Sequence, residues 1–118
     1  MKLSEIKDLL QAEILCGKNL SVDIKFACGS DLMSDVLASC KEKAALLTGL
    51  TNAQVIRTAE MIDISAIIFV RGKRPSKEVV EMALEKGIPV LLTKLPMYEA
   101  AGILYTNGLK GTSEVDDD

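Results

Sequence analysis

The apolar positions of this 118-residue chain change their period several times, and each change marks a boundary between elements. Ile6, Leu9 and Leu10 share one face of a helical segment that opens at Ser4, a residue suited to cap a first turn. Residues 13–16 and 22–28 follow as short runs bounded by Gly17 and Gly29, and both read as strands. From Ser30 the spacing turns helical: Leu32, Met33, Val36, Leu37 and Cys40 recur on one face, with Ser30 or Asp31 placed to cap. Residues 44–47 are a continuous apolar run ended by Thr48 and Gly49. Asn52 then opens a helix with Val55, Ile56, Ala59 and Met61 or Ile62 inward.

Residues 66–70 form the clearest strand, because a β-branched run that is apolar on both faces requires helices on both sides. Residues 71–75 break it, and Ser76 caps a helix with Val79, Val80, Ala83 and Leu84 inward and Gly87 as its stop. Residues 88–93 return to strand, with Pro89 near the start, where an amide is dispensable. Pro96 starts a last helix over 97–105 that is apolar nearly all round; such a helix is covered by its own domain or pressed against another subunit. Residues 112–118 have no apolar periodicity and end in an acidic run, so they are expected to be a disordered tail. Repeated strand–helix alternation predicts a single α/β domain over 1–111, three-layer α/β/α, with a largely parallel sheet and right-handed crossovers.

Composition narrows the choice of partners. Hydrophobic residues make up 48% of the chain, and a mean hydropathy of +0.23 points to apolar surface that meets a partner. Phe26, Phe69, Tyr98 and Tyr105 provide no platform for stacking bases, and the net charge of -3 leaves no basic face, so no nucleic acid partner is expected. No run reaches the ~20 apolar residues of a membrane span, so a cytoplasmic protein with no membrane partner is expected. Cys16, Cys28 and Cys40 are odd in number and form no CxxC pair. They read as small core residues of a reducing compartment, not as a disulfide framework, a redox pair or a metal site.

Loops leaving the carboxyl ends of parallel strands share one sheet edge, and ligands of open α/β sheets bind there. That edge should gather Gly29, Ser30, Thr48, Gly49, Asn52, Arg71, Gly72, Lys73, Arg74 and Thr93. Glycines there let an anion approach helix N-terminal amides, and the cations add charge, which suits a nucleotide or other small anionic metabolite. The same glycines and hydroxyls serve equally as ordinary turns and caps. The chain has no His, which excludes Ser–His and Cys–His catalysis and phosphohistidine chemistry. The Asp31/Asp35 and Glu60/Asp63 pairs read as solvated positions. Residues 72–76 lack the P-loop spacing and no GxGxxG occurs, so no catalytic set, metal or cofactor is expected and the chain is not expected to be an enzyme.

The order of these loops resembles the DRTGG domain family, carried by residues 22–34, 44–49, 66–76 and 87–93 and covering nearly all of 1–111. Gly49, Gly72 and Thr93 match the family, whereas Leu50-Thr51 replaces its Asp-Arg and Val70-Arg71-Gly72 its Thr-Gly-Gly. The runs 54–61 and 69–73 look like those of small stand-alone members found near iron hydrogenase genes in anaerobic bacteria. DRTGG domains are known as accessory modules beside CBS domains in regulated pyrophosphatases and resemble the N-terminal domain of HPr kinase/phosphorylase. The resemblance implies an α/β/α fold that commonly pairs as a homodimer, and a non-catalytic regulatory or scaffold role through dimerisation and protein or small-ligand contacts. The alternative is a sensor that binds a nucleotide or other anionic metabolite through the strand-to-helix loops.

Overall fold

A computed structural model of the chain describes residues 1–114. The elements run α1 (Leu3–Leu10), β1 (Glu13–Cys16), β2 (Phe26–Gly29), α2 (Met33–Ser39), β3 (Ala44–Thr48), α3 (Ala53–Met61), β4 (Ala66–Phe69), α4 (Lys77–Glu85), β5 (Val90–Leu92) and α5 (Met97–Thr106). Thr112–Glu114 form a 3-10 turn, and the rest of the expected tail, residues 115–118, lies outside the described residues. The five strands pair in the order β1-β5-β4-β3-β2; β2 to β5 are parallel and β1 is antiparallel to β5.

Successive side chains of a strand point to opposite faces, so each central strand feeds two cores. Leu46, Ile67 and Phe69 pack with Val36, Val55, Ile56, Ala59 and Ala83 of α2, α3 and α4. Leu47, Ile68 and Leu91 pack on the other side with Leu3, Ile6 and Leu10 of α1 and Ala100 and Leu104 of α5. The three layers follow from this division. Because α2, α3 and α4 all lie on one face, the chain steps steadily from β2 to β5 and crosses to the other face only after β5.

Local chemistry accounts for several boundaries. Asn52 caps α3 by accepting from the Gln54 amide at 3.0 Å, and Ser76 caps α4 by accepting from the Val79 amide at 3.3 Å. At α1 the cap is Lys2, not Ser4, and the Glu5 carboxylate reaches back to the Lys2 amide at 3.0 Å. The strand expected over 22–28 begins only at Phe26. Its first part pairs instead with the N-terminal residues, through Leu3 N to Val22 O at 3.0 Å and Ile24 N to Met1 O at 2.7 Å. Leu32, Leu37 and Leu84, expected inward, are exposed.

The cysteines require a correction. Cys28 and Cys40 are joined in a disulfide with a Cα–Cα separation of 5.9 Å, and only Cys16 is free among the described residues. The pair arises because β2 and the end of α2 lie side by side, a tertiary placement that the 12-residue sequence separation does not signal.

Candidate functional site

The strand-end edge is built by the loops after β2, β3, β4 and β5, each starting where a parallel strand stops. Its centre is a carboxylate. Asp31, on the loop after β2, accepts from the Gly49 amide at 2.7 Å and from the Thr48 hydroxyl at 3.2 Å. The Arg71 guanidinium stands 3.9 Å from the other Asp31 oxygen and lies over Gly49, where a Cβ would come within 2.8 Å of its Nη2. The amide, hydroxyl and guanidinium that would hold a ligand anion therefore hold a side chain of the protein.

Each remaining candidate has a definite partner or place. The Ser30 hydroxyl accepts from the Leu32 amide at 3.0 Å, and Asn52 caps α3. Gly29 packs near Met97, the first residue of α5. Arg71 and Gly72 both have positive φ, 59° and 66°, at the centre of a turn closed by Lys73 N to Val70 O at 3.1 Å. Holding the non-glycine Arg71 in that region costs about 1–2 kcal/mol. Two cross-loop bonds maintain it: Arg71 N to Leu95 O at 2.8 Å and Gly72 N to Thr93 O at 2.9 Å. These bonds also close the one place where neighbouring strand-end loops diverge to opposite faces of the sheet.

Arg74 turns away from the edge centre and makes a two-pronged pair with Glu13 of β1, with N–O distances of 2.7 and 3.2 Å. The hydrogen bond from Arg74 is the main cause that lowers the Glu13 carboxyl below its usual range and raises the guanidinium in return. Thr93 is buried; its hydroxyl donates to the Leu10 carbonyl at 2.8 Å and accepts from the Leu95 amide at 3.2 Å. Lys73 is exposed and has no ion pair among the described residues.

Gly29, Ser30, Thr48, Gly49 and Arg71 thus gather round Asp31, while Asn52, Arg74 and Thr93 serve a helix, β1 and α1 respectively. Glu13 was not among the expected site residues, and Asp31, expected as a solvated carboxylate or a cap for α2, makes no side-chain cap bond there and instead binds Thr48 and Gly49. The signal for Asp31 was an acid directly after a strand end, among loops otherwise rich in cations and glycines. Clefts open at several places, one of them lined by Gly29 and another by Arg74. One of about 310 Å³ opens at the opposite edge beside Lys43, Asp63, Ser65 and Lys86, and one of about 350 Å³ runs along β1 past Arg74 and Glu13. An apolar crevice of about 110 Å³ between α5 and β2 is lined by Cys28, Leu47, Ala101, Tyr105 and Leu109. No group of three or more His, Cys, Asp or Glu among the described residues can hold a metal ion, and no described helix is long and apolar enough to cross a membrane.

Three layers, a largely parallel sheet and an edge with internal contacts define a compact α/β domain. The DRTGG domain family matches residues 5–108, and the chain belongs to that family. Among solved structures it is similar to the CBS and DRTGG domains of the regulatory region of Clostridium perfringens pyrophosphatase, complexed with the activator diadenosine tetraphosphate. The TM-score is 0.75 at 22% identity, over 87% of this chain and 45% of that one, so the likeness is one of fold and the chain spans less than half of its neighbour. No curated protein matches the sequence.

Proposed function

We propose that this DRTGG domain is a non-catalytic regulatory or scaffold module that works as a homodimer, with the outer face of α5 as the contact. The observation that carries this reading is the filled edge: Asp31 engages Gly49 and Thr48, and Glu13 engages Arg74, so of the charged candidates only the exposed Lys73 lacks a partner among the described residues. Exposed apolar side chains stand on several helices, and α5 presents the two aromatic ones, Tyr98 at 89% and Tyr105 at 47%, beside the crevice against β2. The place of the DRTGG domain in the regulatory region of the pyrophosphatase supports a regulatory role.

Sedimentation velocity over a range of concentrations tests the dimer. Twice the chain mass for the wild type and a monomer for a folded Tyr98→Glu variant are expected. A wild-type monomer at every concentration would remove dimerisation from the proposal.

A second reading, a sensor for a nucleotide or other small anion, draws support from the activator bound by the pyrophosphatase region and from unpaired Lys73 at the edge. On that reading Arg71→Ala weakens binding by ~1.5–3 kcal/mol while the fold persists.

A further inference from the structure

We propose that Cys28 and Cys40 form a reversible redox staple that controls the loop carrying Asp31. Their Cα–Cα separation of 5.9 Å lies within the range a disulfide spans without backbone movement. The segment they enclose contains the loop after β2, with Asp31, and the whole of α2.

The two ends of that segment are held very differently. Cys28 is fixed in β2, whose residues pair in register with β3. Helix α2 has seven residues, no side-chain bond at its N-cap, and only Met33 and Val36 buried. Leu32 and Leu37 beside them are 58% and 43% exposed. Beyond the core packing of Met33, Val36 and Cys40 and its contact with α3, the helix is held by the Asp31 clasp on Gly49 and Thr48 before it and by the disulfide at its end. One more bond, from the Thr112 hydroxyl to the Ser39 carbonyl at 2.6 Å, brings the segment after α5 onto the same helix end. Opening the disulfide removes the covalent hold on α2 and leaves the Asp31 clasp to bear its motion.

Access favours exchange at Cys28. It is half-buried, whereas Cys40 is 9% exposed. A dithiol reductant supplies the electrons. Its first thiolate bonds to Cys28 Sγ, the Cys28–Cys40 bond breaks, and Cys40 leaves with the electron pair and takes a proton. The second reductant thiolate then attacks the mixed disulfide and releases Cys28, leaving the reductant as a cyclic disulfide. A small disulfide such as oxidised glutathione reverses the process, accepting two electrons and two protons from the pair. Cys16 stands outside this chemistry: burial pushes its thiol up, and it donates to the Ile88 carbonyl at 3.5 Å. The inference does not depend on the chain's dimerising.

The test uses the full chain equilibrated with oxidised glutathione, then denatured and alkylated. One labelled thiol at Cys16 is expected, and three after dithiothreitol. Reduction should lower the melting temperature by about 10 °C, and Cys40→Ser should melt like the reduced wild type and ignore reductant. In amide NMR spectra, reduction should shift Asp31 and Gly49 together with Cys28 and Cys40. Three labelled thiols after oxidised glutathione would overturn the staple, as would a melting temperature indifferent to reductant. Shifts confined to β2 and the end of α2 would overturn its control of Asp31.

Discussion

Thr93→Val exchanges one hydroxyl for a methyl group at almost constant shape, at a position 1% exposed. In the wild type that hydroxyl donates to the Leu10 carbonyl at 2.8 Å and accepts from the Leu95 amide at 3.2 Å. Leu10 is the last residue of α1, so its carbonyl has no partner within the helix and depends on Thr93. Valine leaves the carbonyl unpaired in the core and the partly buried Leu95 amide without its acceptor. An unsatisfied buried group costs about 1–3 kcal/mol. Counting the carbonyl in full and the amide in part, the variant should lose about 2–3 kcal/mol, or roughly 8–12 °C in melting temperature for a chain of this size. Urea unfolding followed by circular dichroism measures the loss, with an unchanged m-value showing that the native state is otherwise intact. Thr93→Ser keeps the hydroxyl and should lose only about 1 kcal/mol. A loss below about 0.5 kcal/mol for Thr93→Val would mean that the hydroxyl is not a structural link between the sheet and α1.

Gly17→Ala should cost about 2–4 kcal/mol in the same assay, because φ is +104° and a Cβ would lie 2.8 Å from the Pro89 Cα. Gly87, at φ +71° with open space around it, should lose only about 1 kcal/mol as alanine. Gly49→Ala meets only the far end of Arg71, so stability should fall by less than about 1 kcal/mol while the guanidinium leaves Asp31, visible as a shift of its Nε–H resonance. Asp23 is lowered from 3.8 to about 2 by hydrogen bonds from Lys25 and the N-terminal ammonium. A depressed folded pKa means that its contribution is present above pH 3.8 and is lost as pH falls through about 2. A carboxyl NMR titration should place the midpoint there, and added salt should move it back toward 3.8.

What was legible in the sequence was what local chemistry decides. The strand at Ala66–Phe69 declared itself because burial on both faces forces an unbroken apolar run. Asn52 and Ser76 announced helix starts because a cap bonds to an amide two or three residues away. The alternation from Val22 was real, but only its second part is a strand, for the first part meets residues 1–3 and the pairing with β3 begins at Phe26. Leu37 and Leu84 keep helical spacing, yet no element covers them. At the edge, the sharing of loops was legible from topology, but its occupant was not: Asp31 meets Gly49 across 18 residues, and Arg74 meets Glu13 across 61. The Cys28–Cys40 pair was hidden for the same reason, since only the packing of α2 on β2 brings the sulfurs together.

On the proposed reading the strand-end edge is occupied by the chain's own groups and the module acts through a second copy. A two-dimensional amide NMR titration of the oxidised protein, against a panel of adenine, guanine and uridine nucleotides with diadenosine tetraphosphate included, tests it most directly. A well-dispersed spectrum is expected in which the amides of Ser30, Asp31, Gly49, Arg71, Gly72, Lys73, Arg74 and Ser76 do not move. Saturable shifts clustered at those residues would contradict it and make this DRTGG domain a receptor for the nucleotide that caused them.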